Sequence, residues 1–75
     1  MTTNTVDRID TDTDTVRELA RRVQAEYAEM PGLSVTLVQA QRLLATDAET
    51  CAAVFRVLTN RGVLKRTAAG RYVRQ

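Results

Sequence analysis

Pro31 is the only proline in the chain, and Gly32 follows it. Proline pushes the residue before it out of helical geometry, so a helix arriving from upstream stops at Met30. The pair cuts the 75 residues into a helical first part and a second part that must build its own elements. Upstream of the break, Val16, Leu19, Ala20, Val23, Tyr27 and Met30 recur at spacings of three and four. That period puts them on one helical face, the expected core side. Arg17, Glu18, Arg21, Arg22, Gln24, Glu26 and Glu29 fill the other face, with Glu18–Arg22 and Arg22–Glu26 as supporting pairs one turn apart. Thr15 and Glu18 have the spacing of a capping box, which predicts a helix start near Thr15.

Downstream, Thr36 and Gln39 form a second capping box. The helix it opens has Leu37, Ala40, Leu43 and Leu44 as its inner stripe and Gln39, Gln41 and Arg42 facing out. At about two turns it depends on tertiary packing to exist. Thr46 or Asp47 caps a third helix, in which Cys51, Val54, Phe55 and Leu58 make the buried stripe. Gly62 stands where a left-handed C-terminal cap is expected. Val63–Thr67 and Arg71–Arg74 then read as two short strands around an Ala68-Ala69-Gly70 loop. A lone hairpin is marginal, so it must pack on the helices through Leu64 and through one or both of Tyr72 and Val73. The expected fold is mainly α: three helices closed by a small β-hairpin.

Residues 1–13 are rich in threonine and aspartate and have little to bury. They read as a mobile acidic tail, with residues 14–75 as the folded domain. Asp10, Asp12 and Asp14 have the spacing that begins a calcium loop, but Thr15 stands where glycine is needed and Arg21 where the closing glutamate belongs. They read as solvated acids. No run is long and apolar enough to cross a bilayer, and the first residues have neither a basic start nor an apolar stretch. The expectation is a cytoplasmic protein without membrane contact.

Chemistry is narrowed by what the chain lacks. It has no histidine, one serine (Ser34) and one cysteine (Cys51). Cys51 falls on a buried stripe with no base to activate it, so it reads as a structural thiol. The glutamates of the first helix lie beside arginines and read as surface charge. No catalytic constellation, metal site or cofactor is expected, and the chain reads as a non-enzyme.

Charge points elsewhere. Residues 1–15 carry four acids against one base, and residues 16–55 five acids against four bases. Residues 56–75 carry six bases (Arg56, Arg61, Lys65, Arg66, Arg71 and Arg74) and no acid. A basic block on one end of a chain suggests a polyanionic partner.

The order helix, turn, helix, glycine, strand, glycine-bearing loop, strand resembles the winged helix-turn-helix superfamily over Leu33 to Arg74. Leu37, Ala40 and Leu44, then Cys51, Val54 and Leu58, carry the likeness. So does the run from Leu58 to Arg66, which looks like a recognition helix passing into a wing. Met30-Pro31-Gly32-Leu33 followed by Gln39-Ala40-Gln41-Arg42-Leu43 also resembles a group of short bacterial winged-helix proteins. The resemblance implies binding of duplex DNA, with the third helix in the major groove and the hairpin on the backbone.

The residues themselves divide on this. Opposite the buried stripe, the third helix presents Glu49, Ala52, Ala53, Arg56 and Asn60. Its first turn offers two acids and alanine where readers of base edges usually sit, so only Arg56 and Asn60 are conventional readers. Arg61, Lys65, Arg66, Arg71 and Arg74 could hold phosphates, or could protect strand edges from pairing. Two expectations therefore stand. One is a DNA-binding regulator that uses these seven residues mostly on the backbone. The other is a protein-docking module presenting Ala48, Ala52 and Ala53, and a homodimer through the first helix around Tyr27 and Met30 is compatible with either.

Overall fold

The computed structural model describes the backbone of residues 2–75 and the side chains of residues 14–75. The acidic tail expected over residues 1–13, with Asp10 and Asp12, falls outside the described side chains.

The chain forms α1 (Thr2–Glu29), β1 (Ser34–Val35), α2 (Leu37–Leu44), α3 (Ala48–Asn60), β2 (Leu64–Arg66) and β3 (Tyr72–Arg74). The protein is mainly α, with a small antiparallel sheet in the order β1-β3-β2, and its topology is winged-helix-like. Thr15 lies inside α1, so it does not cap the helix start as its spacing suggests. No glycine or proline precedes it to stop propagation, and each added helical residue gains a bond. Among the described residues, no helix is long and apolar enough to cross a membrane.

Where the caps are local, their spacing is decisive. Thr36 Oγ1 accepts from the Gln39 amide at 3.2 Å while Gln39 Oε1 accepts from the Thr36 amide at 2.9 Å. Asp47, not Thr46, caps α3, its Oδ1 accepting from the Thr50 amide at 2.7 Å. At the other end, the Gly62 amide donates to the Thr59 carbonyl and the Val63 amide to the Leu58 carbonyl, both at 3.0 Å. This paired closure requires a left-handed residue, and Gly62 supplies it at φ +78°.

The core joins all three helices to the sheet: Ala20, Val23 and Tyr27 from α1, Val35 from β1, and Ala40 and Leu44 from α2. Cys51, Val54, Phe55 and Leu58 of α3 and Leu64 of β2 complete it. Two residues placed inside by periodicity are outside. Met30 is 49% exposed because α1 has already ended at Glu29, and Leu43 is 62% exposed. In α2, Leu37, Ala40 and Leu44 suffice to cover α3, which leaves Leu43 at the edge of the contact. Tyr27, expected near a dimer contact, is only 2% exposed and belongs to the interior.

The expected hairpin is present but is not alone. β1 pairs with β3, Ser34 opposite Val73 and Val35 opposite Tyr72. On its other side β3 pairs with β2, Leu64 opposite Arg74, Lys65 opposite Val73 and Arg66 opposite Tyr72. The third strand adds hydrogen bonds and ties the hairpin to the chain between α1 and α2.

Candidate nucleic-acid interface

Tyr72 fixes the sheet against the helices. Its ring meets Phe55 edge-on, with centroids 4.9 Å apart, and its carbonyl accepts from the Tyr27 hydroxyl at 2.6 Å. One contact thus reaches α3 and the other α1. Burial pushes the Tyr27 hydroxyl up to about 12, so it remains a donor at any physiological pH.

Arg66 lies directly across the strand pair from Tyr72, and directly opposed residues project from the same face of a sheet. On α3, Arg56 and Asn60 are one turn apart and both exposed. These three side chains, with Ala52, Thr59, Leu37 and Tyr72, line a shallow depression of about 260 Å³ between α3 and the hairpin. Two guanidinium groups and one carboxamide meet there, and no acid is among the lining residues. Thr59 is held by a 2.6 Å bond from its hydroxyl to the Phe55 carbonyl.

The other four basic residues do not join this group. Lys65 alternates to the opposite sheet face, paired with Val73. Arg61 is the C-cap residue of α3. Arg74 sits across from Leu64, at the end of β3. Arg71 is engaged elsewhere: its Nη1 donates to the Ser34 carbonyl at 3.4 Å, and its amide to Thr67 Oγ1 at 3.2 Å. The side chains of Arg61, Lys65, Arg71 and Arg74 are all exposed. Thr59 and Tyr72 are lining residues that sequence reasoning did not propose for the site. Thr59 follows Arg56 by three, a spacing that could have found it; Tyr72 required the strand register.

The two ends of α3 differ in charge. Asp47 and Glu49 stand exposed at its start, and the Thr50 amide bond holds the Asp47 carboxyl below its ordinary range, so it is ionised at neutral pH. Phosphate is repelled at that end and attracted at the Arg56–Asn60 end. Beneath, Cys51 is 0% exposed, its thiol donating to the Leu37 carbonyl at 3.7 Å. Burial, then the nearby Asp47 charge, pushes that thiol up, which keeps it protonated and inert. Among the described residues, no group of three or more potential ligands could hold a metal ion.

Compared with protein-family models, curated proteins and solved structures, the chain matches none.

Proposed function

We propose that the protein is a winged-helix DNA-binding protein, of the kind that serves as a small transcriptional regulator, holding duplex DNA mostly by its phosphates. The observation that carries this reading is the convergence of Arg56, Asn60 and Arg66 on one acid-free depression between α3 and the hairpin. The winged-helix-like order of elements supports it, since in that arrangement the third helix and the hairpin meet the duplex together. The acidic start of α3 limits how deeply that end enters a groove. Contact then falls to the C-terminal half of α3 and to β2, with Arg56 and Asn60 nearest to base edges. Lys65, Arg61, Arg71 and Arg74 add to the surrounding positive potential.

The experiment is fluorescence anisotropy of a labelled duplex of mixed sequence, titrated at several salt concentrations. Each phosphate contact contributes about 0.9 to the slope of log affinity against log salt. Replacing Arg56 or Arg66 by glutamine is expected to weaken binding and flatten the slope by about one contact each. Lys65→Gln has the smaller effect. Absence of binding at low salt sinks the proposal, as does a salt slope that both arginine variants leave unchanged.

A further inference from the structure

An open groove of about 350 Å³ lies on the α1–α2 side, with Val23, Tyr27 and Phe55 on its floor. Its lining is largely apolar, and its charged residues, Arg22 and Glu26, are opposite in sign and one helical turn apart on α1. Directional chemistry is concentrated instead in the depression between α3 and the hairpin, and its polar side chains are not equivalent. The Thr59 hydroxyl proton is committed to the Phe55 carbonyl at 2.6 Å. Arg66 lies along the hairpin turn: a Cβ on Gly70 would stand 3.8 Å from its Nη2. That leaves Arg56 and Asn60, both exposed and four residues apart on one side of α3. Toward the helix start, that side continues with Ala52, whose side chain has no hydrogen-bonding group, and then with the Glu49 anion.

We infer that the chain reads a two-base code in the major groove, guanine through Arg56 and adenine through Asn60, an inference that rests on the duplex binding proposed above. A guanidinium is all donor, and it matches the adjacent O6 and N7 acceptors of guanine. A carboxamide carries one acceptor and one donor group, and it matches the N6 amino group and N7 of adenine. Exchanged, the pairs fail: Arg56 would set an N–H against the adenine amino group, and the Asn60 oxygen would face a guanine acceptor. Four helical residues rise about 6 Å and base pairs stack about 3.4 Å apart, so the two readers address base pairs no more than about two steps apart. On that side of α3 the code is bounded by Ala52, which brings only a methyl group, and by the end of the helix at Asn60. Arg66, beside the hairpin turn, serves the phosphates and adds affinity without sequence information. At a base edge the Arg56 charge still lies between the phosphate rows and enters the salt slope, so base preference is what separates a reader from a phosphate contact.

The test is selection of bound duplexes from a randomised pool by the full chain at low salt, with sequencing of what is retained. Wild type is expected to enrich a guanine and an adenine within about three base pairs of each other, each favoured by about tenfold or more over the wrong base in anisotropy competition. Asn60→Ala should lose the adenine preference and keep the guanine. Arg56→Gln should exchange guanine for adenine at its own position, because a glutamine carboxamide has the adenine pattern. Both side chains are exposed, so circular dichroism should show helix content and Tm unchanged in each variant. Salt-sensitive binding with no enriched base overturns the two-base code and leaves the duplex proposal standing. Enrichment that neither variant alters overturns the code in the same way, by moving the readout to other residues. Absence of binding at low salt overturns both.

Discussion

The two depressions share α2 and α3 as walls, yet they are built differently. The groove beside α1 is floored by core residues, so its shape is a by-product of stability. The depression beside the hairpin is rimmed by Arg56, Asn60 and Arg66, exposed side chains that the core does not need. Phe55 stands between them: it lines the groove, and its ring meets Tyr72, which lines the depression. Exposed side chains such as these are expected to change at little cost to the fold, while the buried apolar floor is not.

The contrast can be broken most forcefully at Phe55. Phe55→Ala removes a ring that is almost wholly buried and should cost about 3–5 kcal/mol. For a domain of this size that lowers Tm by more than about 12 °C, measurable by circular dichroism. Duplex affinity should fall with it, since Tyr72 loses its edge-on partner and Arg66 its fixed neighbour.

Tyr27→Phe should have an intermediate effect. It removes the hydroxyl that bonds the Tyr72 carbonyl and leaves that acceptor without its partner, at about 1–2 kcal/mol in chemical denaturation. The variant also tests a pH dependence. The folded chain holds the Tyr27 hydroxyl at about 12, against an ordinary 10.0, so folding favours the neutral form. The corresponding stability is complete below pH 10 and is lost as pH rises from 10 through 12. Wild type should show this alkaline loss, and Tyr27→Phe should lack it.

The smallest effect on stability sharpens the contrast from the other side. Arg56→Gln and Arg66→Gln should each change unfolding free energy by no more than about 0.5 kcal/mol, since both side chains are exposed. A loss above about 1 kcal/mol would mean that the rim also holds the fold together.

Legibility in the sequence followed the range of the interactions. The cap at Thr36 and the left-handed turn at Gly62 depend on neighbours a few residues away, and spacing revealed them, whereas for α3 it left Thr46 and Asp47 as alternatives and the structure chose Asp47. The stripe of Cys51, Val54, Phe55 and Leu58 did the same, because each of its residues meets the core directly. β1 did not announce itself: two residues are too few to show a period, and Ser34–Val35 is a strand only because β3 lies beside it. Met30 and Leu43 also looked internal, since periodicity marks a face without saying how far the neighbouring element extends to cover it.

The seven proposed contact residues divide along the same line. Composition alone placed six bases in the last twenty residues. Register decided that Arg66 shares a face with Tyr72 and lines the depression with Arg56 and Asn60, while Lys65 turns away. Which residues are basic, where helices begin and which stripe is apolar are properties of short stretches of chain, and the sequence determined them. Which cations converge, and which apolar side chains remain uncovered, depend on pairings across tens of residues that only the packed tertiary structure could decide.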